Sequence, residues 1–186
     1  GCLYTSPFYD MLYSLNSNEK WRELVGKKEE DDKFRDVEVL LRSFALFYGE
    51  KSYTGSMVQF LNRFSKDAQK FDEDEVEKCK QVFENFLTVC ETINPKEFLT
   101  KTGSFNVSLF DSVFVVIAKK IISSGVDAAK ISSEAFDALK NDTSFKTAIT
   151  HSTSHVDSVK SRLSLARKYL YGIADSGLSG EREDGK

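Results

Sequence analysis

The sequence predicts an all-α fold, and three observations carry that prediction. Only two prolines, Pro7 and Pro95, interrupt 186 residues. Apolar residues recur at helical spacing in one stretch after another. No pair of alternating runs flanks the turn residues that a β-hairpin needs, and no internal repeat is present. With 40% hydrophobic residues, fifteen of them Phe, the chain can bury a sizeable core as one domain. We place that domain, a multi-helix bundle around a central apolar helix, at residues 1–174. Residues 175–186, "DSGLSGEREDGK", lack an apolar period and read as a loose tail.

Pro7 suits the first turn of a helix running through Phe8, Met11, Leu12 and Leu15. A second, short helix fits "NEKWRELVG", closed by Gly26, and "KKEEDDK" follows as a solvated connection. The third helix, within "KFRDVEVLLRSFALFYG", stops at Gly49. Ser56 is placed to cap "MVQFLNRF". Asp72 with Glu75 resembles a capping box at the head of a long helix striped by Val76, Cys79, Phe83, Phe86, Leu87 and Cys90. The run from Asn106 to Ser123 is apolar nearly all round, so a buried helix and a buried strand both fit. Its length, about 18 residues, favours the helix. Shorter helices follow at "SEAFDALKN" and "SFKTAIT", and Ser154 with Asp157 gives a box-like start to the last helix, through Val159, Leu163, Ala166 and Leu170.

The third helix carries an ion ladder of Arg35, Glu38 and Arg42. At 100° per residue, Phe34, Val37, Leu40, Leu41, Phe44, Ala45, Phe47 and Tyr48 cover one broad face, with Val39 and Leu46 on the other side. The ladder falls between these two surfaces. On a solvated edge each pair contributes about 0.3–0.5 kcal/mol. At a packed seam, breaking a pair costs about 3–5 kcal/mol. The seam arrangement has Glu38 paired with Arg35, Arg42 or both.

Few functional classes find support in the residues. A net charge of −3 gives no overall basic field for nucleic acid. Cys79 and Cys90, on one helix, lie roughly 16 Å apart along its axis, too far for a disulfide. Three cysteines without framework spacing fit reduced thiols and a cytoplasmic setting. The start has neither the basic nor the apolar region of a signal peptide, and "VFVVIA" is far short of the roughly 20 residues of a membrane span. His151 and His155, the only histidines, are spaced as in H-E-x-x-H but lack the Glu, and the intervening "STS" favours a polar turn over a metal site. P-loop, GxGxxG and G-x-S-x-G patterns are absent, and no cofactor is implied. Residues 142–174 hold five basic against two acidic side chains, and residues 66–97 five against nine. Lys146, Lys160, Arg162, Arg167 and Lys168 are therefore the candidates for contact with a partner or nucleic acid, although they do not form one tight stripe.

"RDVEVLLR" followed by "YTGSMVQFLNRF" resembles the helical region of a bacterial family, domain of unknown function 262, whose best-known relatives are the GmrSD-type modification-dependent restriction proteins. The matching positions are Asp36, Glu38 and Arg42, then Tyr53, Gly55 and Ser56, then Phe60, Leu61 and Asn62. "CLYTSPFYDML", "SLFDSVF" and "FKTAITHSTSHVDSVKSRL" resemble further segments, so the likeness spans most of the chain. One departure is Ser152, where the family pattern has Gly. The family's nucleotide-associated "DGQQR" loop and the His-Asn-His nuclease signature are absent from this sequence. The resemblance, with a start that lacks Met, implies a helical scaffold or regulatory domain of a larger DNA-defence protein. Its partner would be an upstream nucleotide-handling domain of the same protein, with weak nucleic-acid contact at most and no catalysis of its own. A stand-alone interaction or nucleic-acid-binding module is the other reading; oligomeric state is open in both.

Overall fold

Val107–Ser124 forms a single helix whose residues from Ser108 to Ala118 are all buried, and the other helices are arranged around it. The structure is a computed structural model and describes residues 5–175. Cys2 and all but the first residue of the expected tail lie outside the described residues. In chain order the helices are α1 (Pro7–Asn16), α2 (Glu19–Val25), α3 (Arg35–Gly49), α4 (Met57–Ala68) and α5 (Glu73–Val89). They continue with α6 (Val107–Ser124), α7 (Val126–Ala129), α8 (Ser133–Asn141), α9 (Thr143–Ala148) and α10 (Val156–Tyr171). Among the described residues the only extended pairing is one antiparallel bridge between Leu99 and Phe105. The all-α expectation holds, and the run that also fitted a strand is α6.

Local chemistry accounts for most of the boundaries. Ser6, Asn18, Ser56, Asp72, Asn106, Ser132 and Asp142 each accept a backbone N–H from the first turn of the helix that follows. Gly26 closes α2 at φ 76°, a left-handed conformation that costs glycine little. The four-residue α7 was not anticipated from the sequence.

Two boundaries depart from expectation. α3 begins at Arg35, and Phe34 sits before it at φ 55° with half its surface exposed, not on the apolar face. The turn ahead of it sets this: the Asp31 carbonyl accepts the Phe34 N–H, and the Asp31 carboxylate accepts from Arg35. At α10 the Ser154–Asp157 box does not form. His155 occupies the cap position without a side-chain hydrogen bond, and the carbonyls of Thr153 and Ser154 just before it are held by Arg162 and Tyr53.

Around α6 lie α3, α5, α7 and α10, while α8 and α9 cover the far side of α10. Aromatic rings fill the centre. Phe114 meets Phe44, Phe86 and Phe83 at centroid distances of 5.3, 5.1 and 5.9 Å, and Phe110 meets Trp21 at 5.0 Å. The pairs with Phe44 and Phe86 are edge-to-face and the other two tilted, each pair contributing about 0.5–1.5 kcal/mol beyond area burial. Val39 and Leu46, on the second side of α3, are also packed against the core, so this helix is covered on both flanks.

Phe114 is fully buried and shared by several ring pairs, so Phe114→Ala should cost about 3–5 kcal/mol. Lys78→Ala, on the exposed side of α5, should change stability by about 0.5 kcal/mol or less. Urea denaturation of both variants beside the parent checks the contrast.

Candidate functional site

Asp111 is the one acidic residue in an otherwise apolar and hydroxyl-bearing stretch of α6, and its side chain is completely buried. A carboxylate in such a place requires charge and hydrogen bonds. Arg42 of α3 donates through Nε to Oδ2 at 2.7 Å. Arg162 of α10, also wholly buried, donates through Nε to Oδ1 at 3.3 Å and through Nη2 to Oδ2 at 3.4 Å. The Ser112 hydroxyl reaches Oδ1 at 3.2 Å, and Arg42 Nη2 reaches the Ser108 hydroxyl at 3.4 Å. The second arm of Arg162 holds the Thr153 carbonyl. Beside it the Tyr53 hydroxyl donates to the Ser154 carbonyl. Burial pushes the Tyr53 hydroxyl upward in pKa, with Arg42 and Arg162 opposing that shift, so it keeps its proton and remains a donor.

A second layer ties the same three segments with the acid on a different one. Glu50, just past α3, accepts Lys119 of α6 at 2.9 Å and Arg167 of α10 at 2.6 Å, both at Oε1. Its Oε2 is buried and has no hydrogen-bond partner among the described residues. The two layers lie eight residues apart along α3 and α6, about 12 Å. Both run in the same order through α3, α6 and α10, so the three helices share a direction across this interface.

A groove of about 670 Å³ opens beside the second layer. Glu50, Lys51 and Tyr53 form one wall; Val156, Val159, Lys160, Leu163 and Arg167 of α10 form the other.

The expected ladder on α3 does not exist. Glu38 is exposed and makes no ion pair among the described residues. Arg35 is exposed and pairs with Asp31 at 2.7 Å, a local i, i+4 contact. Only Arg42 lies at a seam, with 16% of its side chain exposed, and its partner is Asp111, 69 positions away. The buried acid of the first turn of α3 is Asp36. It pairs at 2.9 Å with Arg22, whose Nη1 reaches Asn16 Oδ1 at 3.0 Å, the same oxygen that takes the Trp21 indole N–H. Spacing within one helix cannot reveal such partners. An acid amid the apolar run 107–118 was the available signal for Asp111.

The five basic candidates separate in the same way. Arg162 is not a surface residue at all, since Asp111 and a carbonyl hold it in the core. Arg167 is partly exposed and engaged with Glu50. Lys146, Lys160 and Lys168 are exposed, Lys168 with its ammonium 5.6 Å from the Tyr169 ring centroid. Lys160 and Arg167 share the groove, and the other candidates do not line it.

His151 lies in the turn after α9 and His155 caps α10, both exposed and not on one helix. Among the described residues no group of three His, Cys, Asp or Glu side chains is placed to hold a metal ion. Cys79 and Cys90 are free and buried; burial pushes the Cys79 thiol up to about 11 and raises Cys90 as well, which makes both poor nucleophiles. No described helix is long and apolar enough to cross a membrane. No family model, curated protein or solved structure matches the chain.

Removing Asp111 strands two guanidiniums, one of them fully buried. Asp111→Ala should cost about 3–5 kcal/mol, whereas Glu38→Ala should stay within about 0.5 kcal/mol. Equal denaturation midpoints for the two variants would contradict this arrangement. Ser152 adopts φ 47°, where a Cβ is unfavourable, and Ser152→Gly should raise stability by about 0.5–1 kcal/mol. The shift is measurable in the same titration.

Proposed function

We propose that this chain is a non-catalytic helical scaffold or regulatory domain of a larger prokaryotic DNA-defence protein, similar to the GmrSD-type family, whose nucleotide-handling domain lies upstream. One observation carries the reading. Each of four segments that resemble the family supplies one residue to the same buried cluster: Arg42 from "RDVEVLLR", Tyr53 from "YTGSMVQFLNRF", Asp111 from "SLFDSVF" and Arg162 from "FKTAITHSTSHVDSVKSRL". Residues scattered over the chain that meet in a core belong to one architectural unit. Ser152 supports the same reading, because it holds the left-handed conformation that the family's Gly would adopt without strain.

The cluster is built for holding helices together. Its carboxylate is enclosed and fully engaged, and its guanidiniums bond to that carboxylate, a hydroxyl and a carbonyl. A general acid or base needs access to a reacting proton, which Asp111 lacks. The rigid body that results suits transmission of position between a partner domain and its target. The chain alone is therefore expected to hydrolyse no nucleotide and cut no DNA. Metal-dependent turnover by pure protein, abolished by a substitution within residues 5–175, would refute the reading.

Direct recognition of DNA by an independent module is the alternative, favoured by exposed Lys146, Lys160 and Lys168. Three such lysines release about three counterions, so log K should fall with log salt at a slope of about −3 and binding should be weak. Fluorescence anisotropy with a duplex oligonucleotide measures that slope. Nanomolar, sequence-specific binding at physiological salt would favour the alternative.

A further inference from the structure

We infer that the groove between the Glu50–Tyr53 turn and α10 is a docking surface for an acidic, amphipathic segment of a partner protein. The inference deepens the scaffold reading and rests on it for one point, that the domain acts through a partner.

Charge complementarity points to the partner's chemistry. Three cations from two separate elements line the groove: Lys51 on one wall, Lys160 and Arg167 on the other. Lys51 and Lys160 are exposed and make no ion pair among the described residues. Arg167 donates Nη2 to Glu50, and its guanidinium makes no other hydrogen bond among the described residues. The acids at the groove are Glu50, which already serves both Lys119 and Arg167, and Asp175. The opening therefore carries uncompensated positive charge and unused N–H donors.

Shape and floor narrow the class. Half-buried Val156 supplies the open apolar surface of the groove, with Val159, Leu163 and the Tyr53 ring nearly enclosed beneath it and the Ser161 and Ser164 hydroxyls beside it. Lys160 and Arg167 are seven residues apart on α10, two turns or about 10 Å. An amphipathic helix with acidic residues at the same interval would set carboxylates against both while its apolar side covers Val156. Nucleic acid fits less well. Single strands bind through open aromatic faces, and Tyr53, the one ring in the groove, is only 4% exposed.

The test uses a fluorescein-labelled helical peptide of about sixteen residues, long enough for a marginal helix, with Leu along one face and Glu seven apart beside it. Its comparators are the same peptide with Gln for Glu, and a single-stranded oligonucleotide. The parent chain should bind the Glu peptide at least about tenfold more tightly than the Gln peptide at low ionic strength, with the difference shrinking as salt is added. Lys51→Glu with Lys160→Glu should weaken the Glu peptide about tenfold or more without moving the melting temperature. Lys66→Glu with Lys70→Glu, an equal charge change outside the groove, should retain most of the affinity. No peptide binding by the parent, equal binding by the groove variant, or displacement of the peptide by the oligonucleotide would each overturn the inference. Turnover by the isolated chain would remove the scaffold reading while leaving the peptide result standing, so the two failures are distinguishable.

Discussion

A single buried carboxylate, Asp111, sets the terms on which three helices meet. It sits in α6 with no exposed surface, and α3 and α10 each deliver an arginine to it. The consequences extend along the chain. Arg162 draws the Thr153 carbonyl inward, Tyr53 takes the Ser154 carbonyl, and α10 begins without a side-chain cap. Ser152, just upstream, is turned into the left-handed region. A strained residue and an uncapped helix are local costs of an arrangement whose stabilisation is distributed over α3, α6 and α10.

Polar residues elsewhere in the interior do similar work. Asp36 and Arg22 join α3 to α2, and the Asn16 amide oxygen serves Arg22 and Trp21 together. Glu50 repeats the three-way tie in a second layer. Asp36, Glu50 and Asp111 thus serve construction by accepting cations, and burial raises the thiols of Cys79 and Cys90. A cationic groove beside the second layer faces solvent, with Lys51 and Lys160 in no ion pair among the described residues.

The helical class, the order of the long helices and the caps at Ser56 and Asp72 were legible in the sequence, because each is decided within a few residues. The apolar stripe of α5 and the length of α6 are signals of that kind. The ladder was not legible. Arg35, Glu38 and Arg42 have the spacing of neighbours, but spacing only makes a pair available; it does not rank that pair against one formed across the core. Arg35 found Asp31 in solvent, Arg42 found the more demanding partner in Asp111, and Glu38 was left in water.

The sequence by itself therefore determined where the long helices form and that they carry the residues of an aromatic core, since 3.6-residue periodicity and capping are short-range properties. Only the tertiary structure decided which charges are buried together and which line the groove. Those choices depend on how α3, α6 and α10 lie side by side, and on the desolvation that makes one distant carboxylate a stronger claim on an arginine than a nearer, hydrated one.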